Sequence, residues 1–228
     1  MHRLPFLTVL IALLAGCSAS APSIRYLDES TADGLQRIRH IRLDRVWLMP
    51  GASFQGYSKV AILPVTVAYK RPPSGRGRSG NFALTSAQME RLERSFQEAF
   101  EREISRSESF EVVSDPGPEV LMVRGRIVDM VVEAQPQLPG RGHSFVRRAG
   151  VMTLILDVSD SVTGAPLARI ADRSEVSPSG GFHLFESNGA NITTAVRQTL
   201  ERWARILRDG LDALHTLPEI PEAPLGGA

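Results

Sequence analysis

From about Asn191 to His215, the residues Ile192, Val196, Leu200, Trp203, Leu207, Leu211 and Leu214 recur at three- and four-residue spacings. One wide apolar stripe therefore runs along a long helix, and it has to be buried against a second layer. A shorter stripe, Met89, Leu92, Phe96, Phe100 and Ile104, follows Thr85, and Gln88 three residues on completes a capping-box pattern. On the other face of that helix Glu90 with Arg94 and Glu98 with Arg102 sit at i,i+4, the spacing of solvated ion pairs.

Around these helices the period drops to two. Lys59 to Val67 is β-branched, and Pro64 within it predicts an edge position or a bulge. Residues 110–113 form a short strand that stops at Asp115-Pro116-Gly117-Pro118, which is turn chemistry. Val120 to Val132 is apolar on both faces along part of its length, the mark of a strand covered on two sides. Met152, Leu154, Leu156 and Val158 alternate with Thr153, Asp157 and Ser159, and residues 159–164 form a hairpin turn into a return strand from Pro166 to Val176. The order is one strand, a helix, three or four strands and a helix, without internal repeat. It predicts a single α+β domain over residues 45–215, with a mostly antiparallel sheet and two long helices packed on one face.

Charge narrows the partners. The 228 residues carry 26 basic and 25 acidic side chains, a formal net charge of +1, so nothing calls for a nucleic-acid partner. All but Lys59 and Lys70 of the basic residues are arginine, which we read as codon bias. A composition that is 43% apolar and 22% charged is that of a globular chain.

The N-terminus opens with Met-His-Arg, continues through the apolar run Leu4 to Leu14 and ends in Ala15-Gly16-Cys17. That is the plan of a secretory leader, and the run falls short of the about 20 apolar residues a bilayer span needs. Leu14-Ala15-Gly16-Cys17 resembles the lipobox of bacterial lipoprotein precursors. The resemblance implies cleavage before Cys17, a thioether from its thiol to diacylglycerol, and acylation of the freed amine. Ser18, rather than Asp, is similar to the residue that sends enterobacterial lipoproteins to the outer membrane, which implies a domain facing the periplasm. A lipidated Cys17 leaves no free thiol for disulfides, zinc or catalysis. The expected division is a signal peptide at 1–16, a lipidated N-terminus and tether at 17–44, the domain at 45–215 and a disordered tail at 216–228.

Catalytic motifs are thin. Gly75, Gly77 and Gly80 spell G-x-G-x-x-G, but two prolines precede them, the loop runs on to Thr85, and no carboxylate stands at a strand end about 20 residues on. The histidines His2, His40, His143, His183 and His215 show no ligand spacing, and His183 with Glu186 forms a local His/carboxylate pair. Neither G-x-S-x-G nor S-x-x-K occurs. Asp157 and Asp160 flank a hairpin turn, where Asp is favoured by bonding to the backbone. No residue is therefore assigned to catalysis, a cofactor or a metal. Phe96, Phe100 and Trp203 fall on the helix stripes and belong to the core.

Two Gly/Pro-rich loops are locally cationic: residues 70–80 hold Lys70, Arg71, Arg76 and Arg78, and residues 134–148 hold Arg141, Arg147 and Arg148, with no acid in either. These seven are the candidate contacts for anionic headgroups or for an acidic envelope protein.

A longer pattern covers residues 45–215. It comprises Val46-Trp47-Leu48-Met49-Pro50, Phe54, Tyr57-Ser58-Lys59-Val60 into Leu63-Pro64-Val65, the Thr85 helix, and Val112-Val113-Ser114-Asp115-Pro116-Gly117-Pro118 with Leu121. Gly150, residues Leu156 to Gly164 and the Trp203-Ala204 helix complete it. In this order they resemble a domain-of-unknown-function family of proteobacterial lipoproteins. The resemblance implies a lipidated envelope protein without an assigned activity, and it carries over no catalytic residue. The function expected is a non-catalytic binding or assembly module in the periplasm. The alternatives are a periplasmic hydrolase with dispersed catalytic groups and a carrier of an apolar ligand. Convergent carboxylates in a deep pocket would mark the hydrolase, an apolar cavity between helix and sheet the carrier, and a filled core with an exposed patch the assembly module.

Overall fold

The computed structural model describes residues 24–70, 82–133, 144–178 and 183–223. Its elements, in chain order, are β1 (Tyr26–Ser30), β2 (Gln36–Ile38), β3 (Arg45–Leu48), β4 (Lys59–Tyr69), α1 (Ser86–Ile104), β5 (Glu111–Val113), β6 (Val120–Val132), β7 (Phe145–Val146), β8 (Gly150–Asp160), β9 (Pro166–Val176), β10 (Phe185–Glu186) and α2 (Gly189–His215). Eight strands form one sheet in the order β1-β2-β3-β9-β8-β6-β4-β5, and β7 pairs with β10 in a small separate ribbon.

The expectation of a mostly antiparallel sheet is corrected: the main sheet is mixed. β4 runs parallel to both of its neighbours, with Val60 opposite Leu121 on β6 and opposite Val112 on β5. The reason lies in the connection. After β4 the chain returns along α1, so the next strands re-enter the sheet in the direction of β4, as a strand–helix–strand unit requires. The remainder of the sheet is antiparallel, built on the β8–β9 hairpin and the long β6–β8 pairing. Pro64 sits at the register shift between Leu63 and Thr66, beyond the end of β5, where its missing N–H breaks no ladder.

Both helices lie on one face of this sheet and against each other. α1 starts at the predicted capping box: the Thr85 hydroxyl accepts from the Gln88 N–H, and the Gln88 side chain accepts from the Thr85 N–H at 2.8 Å. Its stripe buries Leu92, Phe96, Phe100 and Ile104, with Phe96 stacked on Phe100 at 4.2 Å between ring centroids. The Phe96 ring lies directly on Gly125 of β6, where a Cβ would come within 2.4 Å of the ring. α2 buries Leu200, Trp203, Leu207 and Leu211. The Trp203 indole N–H donates to Asp172 of β9 at 2.6 Å, and the same carboxylate, only 5% exposed, accepts from the Asp44 backbone N–H at 3.1 Å.

The ordered structure extends beyond residues 45–215 on both sides. β1 and β2 come from the segment read as tether, and Leu35 between them is fully buried. Past α2, Ile220 is 1% exposed and its backbone brackets the 51–52 turn: Gly51 N–H donates to its carbonyl and its N–H donates to the Ala52 carbonyl. On the helix-free face, Asp157 accepts from Arg126 at 2.8 Å and from Arg169 at 2.5 Å, while Arg169 also reaches Asp33 at 3.0 Å.

Candidate functional site

The first turns of α1 and α2 diverge enough from the end of the sheet to leave an apolar cleft of about 160 Å³. Three layers supply its wall. Leu84, Leu92 and the stem of Arg91 come from α1 and its approach, Ile192 and Val196 from α2, and Met130, Ala149 and Met152 from the ends of β6 and β8. Local sequence explains the gap. β6 bulges between Val128 and Val131, with Asp129 at φ 51°. A Cβ at Gly150 would lie 2.2 Å from the Val131 carbonyl oxygen, so close passage of the two strands requires glycine there.

The cleft's chemistry is sparse and one-sided. Among the described residues, Arg91 is the only ionisable one in its lining and no carboxylate pairs with it. Gln88, Ser95 and Thr193 supply the polar atoms. The oxygen of Gln88 is taken by the Thr85 cap, which leaves its amide N–H groups without an acceptor among the described residues. Both helices begin at this rim, so the partial positive charges of their N-termini reinforce the cation.

Of the seven candidate surface cations, Lys70, Arg147 and Arg148 are described, and the structure brings all three to this same end. The Lys70 backbone N–H donates to the carbonyl of Met130 in the cleft wall, and Arg147 and Arg148 lead directly into Ala149. Lys70 and Arg147 are exposed. Arg148 is committed elsewhere: it forks onto Glu133 at 2.7 and 2.9 Å and reaches Glu175 at 2.5 Å, and the bonds to Glu133 and then Glu175 raise its pKa. Arg71, Arg76, Arg78, Arg141 and Cys17 lie outside the described residues. Beside the cleft the β7–β10 ribbon leaves two large apolar side chains in solvent, Phe145 at 58% and Leu184 at 61%. Arg91 and the cleft itself were not legible from the sequence, because Arg91 merely flanks the α1 stripe and the cavity arises from residues up to about a hundred positions apart.

A second apolar cleft, about 260 Å³, lies under the far end of α2, between Ile38, Leu43, Ile206 and Leu214, with Arg42 and Asp209 paired at 2.9 Å on its edge. His40 stands there with Nδ1 accepting the backbone N–H groups of Arg42 and Leu43 at 3.1 Å each. Burial first and the Arg42 guanidinium second push its pKa below the ordinary imidazole range, against an opposing pull from Asp172. At the opposite end of the sheet from the α1/α2 cleft, the residues of the family pattern come together. The Tyr57 hydroxyl donates to Asp160 at 3.1 Å, and Ser161 exchanges hydrogen bonds with both backbone groups of Gly117. Asp160 also accepts the Thr163 and Val162 N–H groups, which lowers its pKa, and burial followed by its carboxylate pushes Tyr57 up to about 12. The Asp157 and Asp160 carboxylates are thus engaged in an ion-pair network and a turn. Among the described residues no group of three or more His, Cys, Asp or Glu side chains is placed to hold a metal, and no helix is long and apolar enough to cross a membrane.

Solved structures similar to this chain include the PelC dodecamer from Paraburkholderia phytofirmans, at 10% identity over 75% of this chain and 97% of that one, with a TM-score of 0.38. Protein XCC0632 from Xanthomonas campestris matches at 13% identity over 72% and 87%, with a TM-score of 0.38. Protein CT253 from Chlamydia trachomatis matches at 12% identity over 68% and 98%, with a TM-score of 0.34. A search of curated proteins finds no match. The family comparison is the decisive one, since residues 28–207 match a single family, and the chain belongs to the DUF3313 family of proteins of unknown function.

Proposed function

We propose that this protein is held in the envelope by a lipid on Cys17, at the outer membrane and facing the periplasm, and that its domain is a non-catalytic binding module for an apolar ligand. The observation that supports the reading is the cleft between the helix N-termini and the sheet, an apolar space that side chains of the described residues leave unfilled. Protein interiors pack to crystal-like density, and an open void of this size costs stability unless something else uses it. Hydrolysis is less well supported. Among the described residues the cleft's lining contains no Asp, Glu, His or Cys to act as nucleophile or general base, and the carboxylates with lowered pKa, Asp33, Asp160 and Asp209, lie elsewhere in salt bridges or a turn.

Both parts can be tested on the full-length protein in isolated outer membranes. Intact-mass measurement should show diacylglycerol and an N-acyl chain on Cys17, and an unmodified thiol removes the anchor. A photoreactive alkyl diazirine should label peptides spanning Ala149–Met152 or Ile192–Val196. Ile192→Trp, which fills the cleft, should abolish that labelling, and undiminished labelling in this variant removes the cleft as the ligand site.

A further inference from the structure

We infer that the ligand of the α1/α2 cleft is a single-chain anionic amphiphile, its alkyl end enclosed between Ile192, Met130 and Met152 and its headgroup held at the mouth by Arg91. The inference rests on the proposed apolar-ligand function and adds the headgroup.

Size argues for a chain that is only partly enclosed. A cavity of about 150 Å³ accommodates one benzene, so the about 160 Å³ found here takes some six to eight carbons. A longer alkyl chain has to leave through the mouth, and whatever terminates it meets the rim. The rim presents a guanidinium and spare hydrogen-bond donors. Arg91 is the single ionisable group of the lining, is exposed, and has no salt-bridge partner among the described residues. Beside it the amide N–H groups of Gln88 are left over by a cap that uses only the side-chain oxygen. Lys70 and Arg147 stand exposed at the same end. The nearby acids Glu133 and Glu175 are both bonded by Arg148 rather than by Arg91.

A carboxylate or phosphate arriving here replaces its water with charge-assisted bonds from a guanidinium that has no salt-bridge partner among the described residues. A neutral alcohol of the same length gains only the apolar contacts. The exposed Phe145 and Leu184 beside the mouth extend the apolar surface along which a chain enters. A bilayer supplies such molecules as its fatty-acid and lysophospholipid components.

Competition against the alkyl diazirine label tests the headgroup separately from the cleft, using the full-length protein with decanoate and decan-1-ol as probes at neutral pH. Decanoate should displace the label from wild type, and Arg91→Met should weaken decanoate by about tenfold, the usual cost of losing a hydrogen bond to a charged group. The same substitution should leave decan-1-ol within about twofold, and Arg91→Lys should recover part of the decanoate effect. Methionine keeps the apolar stem and the helix propensity, so the variant stays folded. Equal loss of both probes in Arg91→Met, or loss of neither, overturns the headgroup assignment while the apolar cleft stands. Labelling that survives Ile192→Trp overturns the cleft itself.

Discussion

At the scale of single residues, two polar side chains decide more than their numbers suggest. Asp172 is buried on β9 and satisfied by the Trp203 indole, the Asp44 backbone and Arg202 at 3.3 Å, so it ties α2, the sheet and the approach to β3 together. Trp203→Ala removes both the ring and a donor, and unfolding in urea should show a loss of about 3–5 kcal/mol. Trp203→Phe keeps most of the apolar surface and should cost about 1–3 kcal/mol through the under-satisfied carboxylate alone. A loss below about 1 kcal/mol for the alanine variant would contradict this account of the core. His40 gives the fold a pH dependence. Its pKa is held below the ordinary imidazole value of about 6.5, so as pH falls the unfolded chain takes up a proton before the folded one does. Its contribution is therefore present above that value and lost as pH falls through the folded-state pKa. The melting temperature should drop between roughly pH 7.5 and pH 5, and His40→Asn, which keeps an acceptor without the charge change, should shrink that drop. An identical pH profile in the variant would rule His40 out as its source.

At the scale of elements, the chain's starts and stops are local chemistry. The Asn188 side chain caps α2 by accepting the Asn191 N–H at 2.9 Å, just as Thr85 caps α1. Asn188→Ala should lower stability by about 1 kcal/mol, read as a shift in the melting temperature, and no shift would mean that the α2 N-terminus is held by its packing instead. The β8–β9 hairpin is similarly self-contained: Asp160 accepts three bonds from Val162 and Thr163, and Gly164 takes φ +72°, a conformation glycine adopts without strain. Strand direction is different in kind. Nothing within Lys59–Tyr69 states whether its neighbours run parallel or antiparallel, and the mixed sheet follows from how α1 carries the chain back.

At the scale of the whole molecule, the two ends of the domain are held by each other. Leu217 and Ile220 are buried beyond α2, and the Tyr26 hydroxyl of β1 donates to the Pro221 carbonyl at 2.6 Å. Ile220→Ala should destabilise by about 2–5 kcal/mol. Removal of residues 217–228 should lower the melting temperature further, and an unchanged value would show that the core closes without the tail. The cleft belongs to this scale too. Its walls come from α1, α2, β6 and β8, and it lies at the end of the sheet where Lys70 and Arg147 also sit.

The sequence by itself determined what depends on residues a few positions apart. The α1 stripe and its capping box, the α2 stripe with Trp203 in the core, the bulge-forming Pro64 and the 159–164 turn all rest on spacings of five residues or fewer, within which side chains and backbone reach one another without help from the rest of the chain. Tertiary structure decided what depends on distant partners. Asp44 and Asp172 meet across 128 positions, and β2 is a strand because β3 offers it an edge, as β2 in turn does for β1, although their own residues read as polar lead-in. Arg91 became a candidate headgroup contact only when α2 and the β6 bulge left a space beside it. Local rules set which segments are helix or strand, whereas burial, which is collective, sets which of their side chains end up unpaired at a shared opening.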